Sequence, residues 1–131
     1  KNKNYNIIMA TLDKGEAYDH NSISNSQLSA LKFTYPAANR YAGETNTFIS
    51  KYFKTYKISP SKYAFRGFDL TMDAVLRTSL NGNFLKEANI GETSYQENKF
   101  QYIKNPSKGG GYANRAVYIL RYEDLQISEI Y

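Results

Sequence analysis

Two runs of helical periodicity, one on each side of Pro60, constrain this chain more than any other feature of its sequence. From Thr47 onward, Phe48, Tyr52, Phe53 and Tyr56 recur at helical spacing, with Lys51, Lys54 and Lys57 around the other sides. The pattern predicts an amphipathic helix of about three turns. "KISPSK" (57–62) ends it, because a proline pushes the residue before it out of helical geometry. Ser61 can then cap a second helix carrying Ala64, Phe68, Met72, Val75 and Leu76 up to Leu80, with Asn81-Gly82 as a left-handed stop. Gly67 lies near the start of that helix, where it costs about 1 kcal/mol relative to Ala and suggests close approach of another backbone.

Strand patterns bracket the helices. "NIIMATLDKG" (6–15) reads as a buried strand ended by a turn. Ser24 and Gln27 form a capping box for a short helix through Leu28 and Leu31, and "KFTYP" (32–36) reads as a brief strand closed by Pro36. Strand, helix and strand make a minimal βαβ unit. "AANRYAGETN" (37–46) is a connection, and 83–96 is irregular with a short helical piece at Phe84 to Ala88. "NKFQYIKN" (98–105) and "RAVYILRY" (115–122) are expected to pair as one long hairpin across the glycine-rich "PSKGGGYAN". Leu125 and Ile127 continue the alternation after it. A chain of 131 residues suits a single domain with one core, here of α/β class.

Chemistry is sparse by comparison. The chain has no cysteine, which excludes disulfides, thiolate nucleophiles and Cys-based zinc sites. No apolar run approaches the roughly 20 residues of a membrane-crossing helix. The sequence starts at Lys1 without a charged-then-apolar leader, and Lys1 reads as a processing boundary that carries no information on compartment. His20 is the sole histidine, with no G-x-S-x-G for a serine relay and no metal-ligand spacing. In "KGGGY" (108–112) the glycines follow the lysine and lead into a strand, unlike a phosphate-cradling loop. No cofactor, metal site or catalytic residue is expected, and the chain reads as a non-enzyme.

Two clusters invite a functional reading. Asp69 and Asp73 lie four apart, on one face of the second helix, and suit either acid/base work or, preferably, the positive end of the helix dipole. Phe65, Arg66 and Phe68 can line a cleft, with Arg66 available to a carboxylate. Part of the net charge of +5 sits in Lys51, Lys54, Lys57, Lys62 and Arg66 with no acid between. A solvated helix face is the first reading of that run and a polyanion-binding surface the second; nucleic acid is weighed against.

The segment "TFISKYFKTYKISPSKYAFRGFDLTMDAVLRTSL" (47–80) resembles the C-terminal region of type I periplasmic-binding proteins, the amino-acid receptor family of branched-chain transporters. The matching residues are Tyr56, Pro60, Ala64, Gly67, Phe68 and Asp69, followed by closing strands at "ENKFQYIKN" and "NRAVYILRY". The narrower likeness is to a Bacteroidetes branch in which a LysM cell-wall module often precedes the receptor-like region. The resemblance spans residues 6–125 and departs from the family where Lys57-Ile58 replaces a glycine and Leu70 an alanine. It implies a fragment of a two-lobed fold, with "YPAANRY" (35–41) near a hinge crossover and an N-terminal lobe of the same chain as partner.

The resemblance further implies a non-catalytic module in the cell envelope or periplasm, associated with an ABC transporter. Its ligand would be a small polar molecule such as an amino acid or short peptide, met by Tyr35, Tyr41, Phe65, Arg66, Phe68 and Asp69. The alternative is an envelope scaffold with an empty cleft. Without its covering lobe, the face of Phe48, Tyr52, Phe53 and Tyr56 would be exposed, and a homodimer of the fragment is expected.

Overall fold

The computed structural model describes residues 5–43, 46–88, 90–107 and 109–131. In chain order the elements are α1 (Asn25–Ala30), β1 (Thr34–Ala37), α2 (Thr47–Tyr56), α3 (Lys62–Asn81), α4 (Phe84–Glu87), β2 (Thr93–Ser94), β3 (Lys99–Phe100), β4 (Tyr102–Lys104), β5 (Tyr112–Asn114), β6 (Tyr118–Glu123) and β7 (Gln126–Glu129), with one 3-10 turn at Glu16–Asp19. The chain is mixed α/β with antiparallel sheets. It gathers into two compact units: unit 1 is Lys1–Arg40 with Val117–Tyr131, and unit 2 is Tyr41–Ala116. The first passage between them falls inside the 35–41 stretch.

Unit 1 is built around the sheet β1-β6-β7, with Thr34 opposite Arg121 and Leu120 opposite Glu129. Strict alternation along β6 buries Tyr118, Leu120 and Tyr122 on one face. They meet Leu28, Phe33 and Tyr35 to form the core. Tyr18 stacks on Phe33 at 4.5 Å, and Phe33 on Tyr35 at 5.7 Å. Such ring pairs add about 0.5–1.5 kcal/mol each beyond their buried area. The capping box is present: Gln27 N donates to Ser24 Oγ, and Ser24 N to Gln27 Oε1 at 2.9 Å.

Two strand expectations in this unit are corrected. The 6–15 run contributes one parallel bridge, Ala10 with Thr34, rather than a buried strand. Ile7, Ile8 and Leu12 are exposed, so no burial extends the pairing. Leu125 lies in the β6–β7 turn, where Asp124 and Leu125 both have positive φ (50° and 64°). That mirror-image geometry suits the strand twist but is strained for a leucine.

In unit 2, Asn46 caps α2 by accepting from Phe48 N at 2.7 Å. The helix ends at Lys57, left-handed at φ 60°, whose N–H donates to Phe53 O. Ser61 caps α3, and Gly82 ends it at φ 68°. Phe48 packs on Phe65 and Phe68 of α3, with ring centroids 4.9 and 4.6 Å apart. The aromatic face of α2 is therefore only partly bare: Phe48 and Tyr52 are half-buried, and Phe53 and Tyr56 are exposed. Nothing approaches within 4 Å of a side chain built at Gly67, so no neighbouring backbone explains that glycine.

The long hairpin is also corrected. The glycine-rich loop joins β4 to β5, pairing Tyr102 with Asn114 and Lys104 with Tyr112. Gly110 is required there, since a Cβ would stand 2.7 Å from Asn105 Cβ. "RAVYILRY" instead supplies β6, the middle strand of the unit 1 sheet. Asn114 closes the β4–β5 ladder: its Oδ1 accepts from Gln101 N and Ala116 N, and its Nδ2 donates to Lys99 O.

Candidate ligand cleft

Asp69, Asp73 and Arg77 recur every four residues and so share one face of α3. All three are fully buried or nearly so, at 0, 0 and 1% exposure. The Asp69 carboxylate accepts from Gln96 N (3.1 Å), Glu97 N (3.0 Å), Asn98 N (2.9 Å) and Asn98 Nδ2 (2.9 Å). Asp73 receives Arg77 Nε at 2.9 Å, Thr93 Oγ1 at 2.6 Å and the Tyr95 hydroxyl at 3.1 Å. Arg77 also donates to the carbonyls of Ala88, Gly91 and Phe100, with its guanidinium 5.1 Å from the Tyr102 ring centroid.

The two acids are structural clamps. They neither cap α3 nor serve its dipole, because Asp69 stands about two turns inside the helix and that effect fades within the first. Among the described residues no buried side-chain polar atom lacks a partner. Burial, reinforced by the Asp73 charge, pushes the Tyr102 hydroxyl up to about 12. Burial and Asp73 raise Tyr95 in the same way.

Asp69 has a further effect, because holding the amides of 96–98 fixes where Glu97 lies. One turn earlier on α3, Phe65 is buried. Glu97 and Phe65, with Tyr41, Ala42, Ile49, Ser59 and Pro60, line a cleft of about 270 Å³ in unit 2. The Glu97 residue is 8% exposed. Burial raises its carboxyl above the ordinary 4.5 and the nearby Asp69 charge adds to this, while the Ala42 amide opposes both. A largely aromatic and aliphatic wall, with Ser59 beside one reluctant anion, suits a cationic or neutral hydrogen-bonding group.

The six sequence-derived site residues do not converge. Tyr41 and Phe65 line the cleft. Arg66 is exposed on α3, and Phe68 lies against Phe48. Asp69 is sealed behind the 96–98 loop and has no surface for a ligand. Tyr35 belongs to the core of unit 1, its ring beneath Lys14 Nζ at 5.3 Å. Glu97 was absent from those six, since in the sequence it is an ordinary acid before a strand. Its partner Asp69 is 28 residues away.

The remaining candidates are local. His20 Nδ1 bonds Ser22, while Asp19 pairs with Lys14, so no Ser-His-Asp relay forms. No group of three or more metal-ligating side chains occurs among the described residues. No family model matches the chain, and no curated protein or solved structure shows significant similarity to it.

Proposed function

We propose that this chain is part of a non-catalytic, two-lobed binding protein of the cell envelope whose cleft receives the protonated amine of a small polar ligand. The observation that carries the reading is Glu97, a buried acid in the wall of a cleft lined otherwise by Tyr41, Ala42, Ile49, Ser59, Pro60 and Phe65. A cation entering there supplies the charge partner that burial denies the carboxylate. The volume, about 270 Å³, falls just below the usual range of small-molecule pockets and suits one amino acid or the terminal residue of a short peptide. The motif around Gly67-Phe68-Asp69 and the double passage of the chain between two units support the receptor-like framework. On this reading a further lobe of the same polypeptide closes over the cleft, as in hinge-bending receptors.

The reading makes a signed prediction. Amine binding displaces a proton from Glu97, so affinity rises with pH through the raised range of that carboxyl. Calorimetric titration of amino acids, each paired with its analogue lacking the amine, measures this. Selective binding of the amines that Glu97→Gln abolishes is the expected result. Equal binding of both series, or binding indifferent to Glu97→Gln, would overturn it.

A further inference from the structure

The turn between α2 and α3, whose Ser59 and Pro60 border the cleft, carries a second surface on side chains that do not line it. Lys51, Lys54, Lys57, Lys62 and Arg66 are all exposed, and no acid occurs between residues 46 and 68. Among the described residues none of the five forms an ion pair. Exposed apolar groups stand between these cations: Phe53 and Tyr56 late on α2, Ile58 in the turn and Tyr63 on the first turn of α3. Ile58 and Tyr63 are 62% and 73% exposed.

Lys57 adds an independent observation. It occupies the left-handed position that ends α2, where glycine is free of strain and lysine is not. Local stability alone favours glycine there. The lysine instead places a cation beside Ile58, at the apex of the turn. A strained residue in an exposed basic cluster is a mark of use.

We propose that this helix–turn–helix tip docks on an anionic lipid bilayer. Its cations meet headgroup phosphates, while Ile58 and the three rings enter the boundary between headgroups and acyl chains. The charge pattern selects an anionic partner. The aliphatic Ile58 selects lipid over nucleic acid, because a phosphate backbone is matched by cations and stacking rings and has no use for an exposed isoleucine. The tip lies on the membrane; among the described residues no helix is long and apolar enough to cross one.

Cosedimentation of the chain with phosphatidylcholine vesicles containing about one third phosphatidylglycerol, against pure phosphatidylcholine, tests the proposal. Binding to the anionic vesicles alone is expected, weakened more than about tenfold by the combined Lys51→Glu, Lys54→Glu and Lys57→Glu variant. Ile58→Ser should weaken vesicle binding about tenfold while leaving any affinity for a single-stranded oligonucleotide unchanged. Lys57→Gly should raise the melting temperature and weaken vesicle binding together, a divergence that a purely structural lysine would not produce. The proposal is overturned by equal binding to both vesicle types at low salt. Charge reversal without effect in a natively folded variant, or tighter binding to the oligonucleotide than to anionic vesicles, would overturn it equally.

Discussion

The core of unit 1 consists of apolar and phenolic side chains, with Phe33 and Tyr118 wholly enclosed, whereas the centre of unit 2 encloses Asp69, Asp73 and Arg77 beside Phe65 and Phe100. The two arrangements use opposite physics. In unit 1, rings brought together by sheet alternation gain from leaving water, and almost any well-shaped apolar set would serve. In unit 2, three desolvated charges are tolerable because, among the described residues, each buried side-chain polar atom finds a partner, on α3 itself or on the segments packed against it. The first core is forgiving of chemistry and strict about volume. The second is strict about chemistry.

The sharpest break of this comparison is Asp73→Ala. It leaves Arg77 buried without the Asp73 carboxylate and removes one hydrogen bond each from the Thr93 and Tyr95 hydroxyls, so a loss of about 3–5 kcal/mol is expected in urea unfolding. In many proteins, replacing both partners of a buried pair by hydrophobic residues is nearly neutral. Here Asp73→Leu with Arg77→Met should remain destabilising by about 2 kcal/mol or more, because the carbonyls of Ala88 and Gly91 lose the Arg77 donor and that of Phe100 loses one of its two side-chain donors. A neutral double variant would mean that unit 2 is organised by volume after all.

In unit 1 the corresponding test is Phe33→Ala. It should cost about 3–4 kcal/mol by creating a cavity, and Phe33→Leu far less, as befits a core that reads size. Hydrogen exchange at the β1 and β6 amides would report it. A smaller effect of opposite sign is expected at Gly67, where nothing opposes a side chain. Gly67→Ala should stabilise α3 by up to about 1 kcal/mol, visible as a higher melting temperature.

The smallest effect is a pH signature of Glu97. Its folded carboxyl holds its proton more tightly than an ordinary one, so its protonated form favours the fold. That contribution is complete below the ordinary 4.5 and is lost as pH climbs through the raised value. Glu97→Gln should therefore leave stability at acid pH unchanged and raise it at neutral pH. Melting curves across that range check the sign, and an unchanged neutral melting temperature would show that the cleft hydrates its carboxylate well.

Local signals in the sequence carried over well. Ser24 with Gln27, Ser61 and Gly82 act at the helix ends that their side chains and backbone freedom favour, because capping is settled within four residues. What the sequence did not display is set by distance. Asp69 and Asp73 look like a surface pair until their donors at 93–98 are brought against α3. "RAVYILRY" alternates correctly, yet alternation names a face and not a partner, and its partners are β1 and β7 rather than β4. The site suffered most. Tyr41 and Phe65 were within reach of residue type and periodicity, but Glu97 gains its meaning only from burial.

The composition of unit 1 from both flanks of unit 2 bears on the order in which the chain can fold. Thr34 and Arg121 bond across 87 residues, a loop whose closure is entropically expensive while the intervening chain is a coil. Unit 2 is continuous in sequence and can condense while the last strands are still being synthesised. Condensation of that continuous segment before the last strands pair shortens the effective loop that β1 and β6 must close. On this order of events the buried charges around Asp73 bear on the pairing of β1 with β6, and Asp73→Ala should slow refolding as well as destabilise the fold.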